Sequence, residues 1–170
     1  DTKKMIYYDN KLLNGIEIMR DTNELPKSET SFDLDELVKK WKRSFDLEFG
    51  GYSRAPKFMM PTNLDFLQTF GFLKKDKSIL DYVDLTLTRM AWGGLFDTVH
   101  GGFSRYSVDV KWHLPHFEKM LYDNALLLKT YSDAYKRTNK PLYKEVITKT
   151  IQFLNDEFYN ARGGFYSAFD

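Results

Sequence analysis

The 170-residue chain contains no cysteine. Disulfides, thiol nucleophiles and cysteine-ligated metals are therefore excluded, while the redox compartment stays open. Charge of one sign is also missing, since 25 Lys and Arg stand against 24 Asp and Glu. No net field draws a polyanion, and with no Lys/Arg-rich block nucleic acid is not an expected partner. No apolar run approaches the ~18 residues that a membrane span needs, so no membrane association is expected. The opening DTKKMIYYDN lacks the apolar core of a signal peptide, which gives a cytoplasmic expectation. Histidine is scarce, with three copies. HExxH, phosphate-loop, GxSxG and GxGxxG patterns are absent, so neither a metal nor a cofactor is expected.

Aromatic residues, by contrast, make up 16% of the chain, from 14 Phe, 11 Tyr and 3 Trp. Such rings serve either a core or a ligand cleft, and their recurrence at helical spacing favours the core. Three stretches align without gaps: FDLEFGGYSRA from Phe45, FDTVHGGFSRY from Phe96 and FYNARGGFYSA from Phe158. Their glycine pairs, Gly50/Gly51, Gly101/Gly102 and Gly163/Gly164, are separated by 51 and then 62 residues.

The intervening segments carry helical periodicity. Helices are predicted near residues 4–19, from Phe32 with Ser31 or Asp33 as cap, from Pro61, from Ser78, from Pro115 to about Arg137, and from Pro141. A polar linker occupies residues 20–30. Glycine pairs following helices fit left-handed helix ends. The unit is thus a helical hairpin with a glycine-bearing loop, and such units bury their apolar faces only by stacking on one another. The expected organisation is an N-terminal helix and linker over 1–30, then stacked hairpins over 31–170.

With Pro115 as the first residue of a helix, Phe117, Met120, Leu121, Asn124, Leu128, Tyr131 and Tyr135 form its core stripe. His116 and Asp123, seven residues apart, then fall within about 20° of each other, with Lys119 between them. Such a column suits general acid–base chemistry, because histidine titrates near neutrality and a carboxylate orients or charges it. The alternative is a satisfied helix-start histidine beside a Lys119–Asp123 surface pair. Glu118 would sit in the first turn, where the helix dipole favours a carboxylate. Arg54 and Arg105 occupy the same position after two glycine pairs, placed either to bind ligand hydroxyls or carboxylates or to cap a helix. Trp112 is a candidate stacking face or a core ring. His100, just before Gly101, is a further candidate at the same opening.

The string GGLFDTVHGGFSRYSVDVKWHLPHFEKMLYDNALL, from Gly93 to Leu127, resembles the thioredoxin-domain-containing, spermatogenesis-associated protein family. GGYSRAPKF from Gly50 and GGFYSAFD at the end extend the resemblance from about Phe32 to Asp170. It implies an all-α fold, an (α/α)6 toroid similar to N-acylglucosamine and cellobiose 2-epimerases and to six-hairpin glycosidases. It also implies a thioredoxin-like domain elsewhere in the full-length protein. Six units of roughly 55 residues require about 330, so this chain carries about half of the ring, with an apolar edge that invites self-association. Residues matching the family's motif include Arg105, Tyr106, Asp109, Trp112, His116, Glu118, Lys119, Tyr122, Asp123 and Asn124. The chain departs from it at Ser104, where relatives commonly have histidine, and at Met59, where proline is usual.

The function expected from these features is a carbohydrate-active domain of the sugar 2-epimerase or isomerase type. His116, Asp123 and Glu118 are its expected catalytic residues, and Arg54, Arg105, Tyr106, Trp112, Lys119 and His100 its substrate-binding residues. A non-catalytic sugar-binding or scaffolding ring attached to the thioredoxin-like domain is one alternative. A glycoside hydrolase, needing two carboxylates facing across a pocket, is the other.

Overall fold

The structure, a computed structural model, describes residues 33–169. The helix expected over residues 4–19, the linker at 20–30 and the possible cap Ser31 lie outside the described residues. The chain divides into two compact units, Asp1–Glu36 and Leu37–Asp170. The second unit contains all of the architecture below except the first turn of α1.

Among the described residues five α-helices follow in order: α1 (Leu34–Trp41), α2 (Pro61–Lys74), α3 (Lys77–Trp92), α4 (Leu121–Thr138) and α5 (Pro141–Phe153). Their ends are chemically marked. Asp33 Oδ1 accepts the N–H groups of Asp35 and Glu36 at 2.9 and 3.1 Å at the start of α1. Asp76 does the same for Ser78 and Ile79 at the start of α3, as an N-cap carboxylate should. Pro61 and Pro141 stand in the first turns of α2 and α5, where their missing N–H costs nothing. Helices α2 and α4 end on Lys75 and Asn139 in the left-handed conformation.

The core stripes have the helical period. Ile79, Tyr82, Val83, Thr86, Leu87 and Met90 are buried along α3, spaced three and four apart so that they share one face. Asn124, Leu127, Thr130, Tyr131 and Ala134 are buried along α4. Helix α2 packs on α3, and α4 on α5; the two hairpins then join α2 to α4 and α3 to α5. This is a two-layer stack of helical hairpins.

Among the described residues five two-residue strands link the repeats: β1 (Lys57–Phe58), β2 (Tyr106–Ser107), β3 (Pro115–His116), β4 (Lys119–Met120) and β5 (Ala168–Phe169). The order β1-β2-β3 forms one antiparallel sheet, and β4-β5 a second. Each of β1 and β4 leads almost directly into a helix, and each pairs with a strand that begins four residues after the next glycine pair. The repeat in the sequence is therefore a repeat in hydrogen bonding.

Three expectations are corrected. The glycine pairs do not end helices. All six glycines have positive φ, and they close antiparallel loops whose mouths are the bridges Phe45↔Tyr52, Phe96↔Phe103 and Tyr159↔Phe165. The third loop is one residue shorter than the others, so Tyr159, not Phe158, is the counterpart of Phe45 and Phe96.

The third correction concerns the segment from Pro115. It is not helical until Leu121. Pro115 and His116 pair with Ser107 and Tyr106 instead, and Asp109 gathers the N–H groups of Lys111, His113 and Leu114 into a tight loop ahead of them. These bonds satisfy the backbone that a helix would have used. Phe117, placed on the core stripe by periodicity, is consequently 79% exposed.

Candidate functional site

Register pairing sets three rings in a row. Phe58 pairs with Tyr106, and Tyr106 with His116, so the three side chains rise from one face of the sheet. Ring centroids are 4.9 Å apart from Phe58 to Tyr106 and 4.7 Å from Tyr106 to His116. The opposite face holds Lys57 and Ser107, both buried. Phe58 remains 44% exposed, and His116 is exposed too. The result is an open aromatic ladder ending in an imidazole.

Two cavities are lined by one member of this ladder, Phe58. One, of about 490 Å³, is lined by Tyr52, Arg54, Ala55, Pro56, Lys57, Phe58 and Met60. The other, of about 220 Å³, lies among Phe58, Met60, Pro61, Arg105, Tyr122 and Asp123. Phe58 and Met60 belong to both, so the cavities adjoin. The larger falls within the ~300–1,000 Å³ typical of small-molecule sites, and the smaller does not. Tyr106 and His116 line neither of them.

Among the described residues Asp123 is the one carboxylate lining the smaller cavity. It stands in the first turn of α4. Burial pushes its carboxyl up to about 6, against a partial pull downward from Arg105. A carboxyl titrating near 6 both accepts and returns protons close to neutral pH. Arg105 is held on the other side by Glu118, 2.9 Å from guanidinium to carboxylate, and its backbone N–H donates to the Glu118 carbonyl. Glu118, foremost, raises the Arg105 pKa and keeps it charged.

The remaining candidates divide clearly. His116 and Tyr106 belong to the ladder, and Arg54 to the larger cavity. The column of His116, Lys119 and Asp123 on one helix does not form, because the first two precede α4. Lys119 is buried, donating to Asp97 Oδ2 at 3.0 Å and to the Gly101 carbonyl at 2.9 Å. Trp112 is fully buried and donates its indole N–H to the Phe49 carbonyl at 2.8 Å. These two therefore hold loops rather than meet a ligand. His100 is exposed, with Nδ1 3.6 Å from Asp97 Oδ2. Ser104 and Met59, the departures from the family motif, are both buried.

Phe58 and Met60 were absent from the sequence candidates. Met60 takes a left-handed φ of 48° just before α2, uncommon for a non-glycine residue and often found at built sites. Among the described residues no cluster of three His, Cys, Asp or Glu stands ready for a metal. No helix among them is long and apolar enough to cross a membrane.

This architecture is that of a partial (α/α)6 toroid of the sugar 2-epimerase fold. A sugar epimerase from a ruminal bacterium superimposes with a TM-score of 0.70 at 16% identity, covering 79% of this chain and 37% of that one. The cellobiose 2-epimerase of Spirochaeta thermophila gives 0.70 at 20% identity, covering 80% and 37%. In sequence, human spermatogenesis-associated protein 20 is 39% identical over 163 residues, 94% of this chain. By this match the chain belongs with the spermatogenesis-associated proteins. An uncharacterized Caenorhabditis elegans protein, B0495.5, is 45% identical over 133 residues. The chain spans about a fifth of the length of these relatives, 21% and 18% respectively. No family model matches.

Proposed function

We propose that this domain acts on monosaccharides by moving a proton at the carbon next to an open-chain carbonyl, as a sugar 2-epimerase or isomerase does. One observation carries the proposal. A half-buried carboxyl, Asp123, with its pKa raised to about 6, shares a cavity with a charged arginine beside an exposed aromatic ladder. Aromatic faces suit the apolar C–H face of a sugar ring, and the polar groups at their edge suit its hydroxyls.

In the proposed reaction the Asp123 carboxylate takes the C2 proton of an open-chain aldose. The C–H electron pair moves into the C1–C2 bond, and the carbonyl pair moves onto oxygen, giving an enediolate. The Arg105 guanidinium, oriented by Glu118, faces that developing charge. A second acid returns a proton to the opposite face of C2; this chain's candidate is His116, which stands on the aromatic ladder outside the lining of the cavity that holds Asp123. Asp123 then releases its proton to water, and His116 regains one.

A hydrolase is less well supported. It needs two carboxylates across one pocket, whereas among the described residues Asp123 is the one carboxylate lining its cavity, and Glu118 is paired with Arg105. The test is product analysis of glucose, N-acetylglucosamine, glucuronate and glucose 6-phosphate incubated with the full-length protein. A C2 epimer or ketose that D123N forms at least ~100-fold more slowly is the expected result. Unchanged sugars with folded wild-type protein contradict the proposal.

A further inference from the structure

The first two repeats treat their equivalent arginines differently. Arg54 and Arg105 each stand three residues after the second glycine of a pair. The repeats are brought into register by their buried lysines, because Lys57 binds Asp46 Oδ2 at 2.8 Å as Lys119 binds Asp97 Oδ2 at 3.0 Å. The residue before Lys119 is Glu118, which forms an ion pair with Arg105 at 2.9 Å. The residue before Lys57 is Pro56. In the first repeat the carboxylate is thus replaced by a ring with no charge.

The charge that results is uncompensated. Arg54 is exposed and makes no side-chain hydrogen bond or ion pair among the described residues. It lines the larger cavity, which among the described residues has no acidic lining residue. The other lining cation, Lys57, is neutralised by Asp46. The remaining walls, including Ala55, Pro56, Phe58 and Met60, are mostly apolar, and low-dielectric walls concentrate the field of a single charge. A planar guanidinium presents a fork that matches carboxylate or phosphate.

We infer that Arg54 receives an anionic substituent of the sugar, so that the substrate class is acidic monosaccharides, uronates or sugar phosphates. This rests on the carbohydrate function proposed above. The ring lies over Phe58, which borders both cavities, with the anion toward Arg54 and the carbonyl end toward Asp123 and Arg105.

The experiment measures dissociation constants of the full-length protein for glucose, glucuronate, glucose 6-phosphate and inorganic phosphate, in wild type, R54Q and R54K. In the wild type, glucuronate or glucose 6-phosphate is expected to bind at least ~10-fold more tightly than glucose, and phosphate alone ~10-fold more weakly than glucose 6-phosphate. R54Q brings the ratio of acidic to neutral sugar to near one, while R54K retains part of it. An anion preference that survives in R54Q overturns the inference, as does glucose binding equal to that of the acidic sugars. Phosphate binding as tightly as glucose 6-phosphate overturns it too, since the ring would then contribute nothing. Failure of all three sugars to bind removes the carbohydrate proposal itself, whereas glucose binding without anion preference removes only the role of Arg54.

Discussion

Lys119 Nζ reaches Asp97 Oδ2 at 3.0 Å, and one repeat earlier Lys57 Nζ reaches Asp46 Oδ2 at 2.8 Å. Each lysine also donates to a backbone carbonyl, of Gly101 and Val110 respectively, and each ammonium lies over a ring, of Phe153 and Trp112. In both loops the partner aspartate uses its other oxygen to hold the N–H groups two and three residues on. The clip fastens each glycine loop to the strand that leads into the next helix. The Lys57 side chain is fully buried and Asp46 9% exposed, while Asp97 is 29% exposed. Removing one partner of a buried pair costs about 3–5 kcal/mol, because the other charge is stranded. K57A is therefore expected to destabilise the protein by that amount in urea unfolding, and K119A by less, since Asp97 is wetter.

Acid should loosen the second clip. Burial alone pushes the Asp97 carboxyl up, but hydrogen bonds from His100 N–H, Lys119 and Val99 N–H outweigh it and bring the group down to about 2. A carboxyl more acidic in the fold than in the unfolded chain takes up a proton more readily on unfolding. Its stabilisation is thus complete above about pH 4 and is lost as the pH falls toward 2. The amount is about 2 kcal/mol. Unfolding free energy measured between pH 5 and pH 2 should fall more steeply in wild type than in D97N.

Asp123 has the opposite sign. Burial raises its carboxyl to about 6, so the fold prefers the protonated form. That contribution is fully present below about pH 4 and is lost as pH rises through 6. D123N keeps a neutral side chain at every pH. It should melt a few degrees above wild type at pH 8 and coincide with it near pH 4, by calorimetry. A group kept at a cost to stability at working pH is what a functional role predicts.

The glycine loops rest on the helices of the following repeats. A Cβ on Gly101 would lie 2.2 Å from the Lys149 carbonyl oxygen of α5, and one on Gly50 2.5 Å from the Thr86 Cα of α3. Both residues have positive φ, +86° and +72°. G101A and G50A are each expected to lose about 1–2 kcal/mol to backbone strain and a further about 1–3 kcal/mol to overpacking. Losses confined to the strain in chemical denaturation would show that the loops do not rest on these helices.

Much of the fold was legible in the sequence. The hairpin unit showed in the recurring glycine pairs, and the stripe of α3 in apolar residues three and four apart. The start of α4 was misplaced because a proline before a periodic segment marks a helix start and a strand entry alike. What held Pro115–His116 in a sheet was pairing with Tyr106–Ser107 and the loop tied by Asp109, bonds that periodicity does not encode. For the same reason Lys119 passed for a ligand contact. Its partner, Asp97, is 22 residues away, and no local pattern announces such a pair. The aromatic ladder was hidden more deeply, since residues 58, 106 and 116 meet only once three short strands align. Asp123 and Arg105 stood out by residue type and line one cavity, but the burial that raises the Asp123 carboxyl belongs to the cavity walls.

The most direct test is proton exchange at carbon 2. The full-length protein is incubated in deuterated water with glucose, glucuronate and glucose 6-phosphate, and the sugars are followed by proton NMR. Loss of the C2 proton signal in at least one sugar, with a rate rising as Asp123 ionises near pH 6 and abolished in D123N, is the predicted result. An intact C2 signal in all three, or exchange that D123N leaves unchanged, contradicts it.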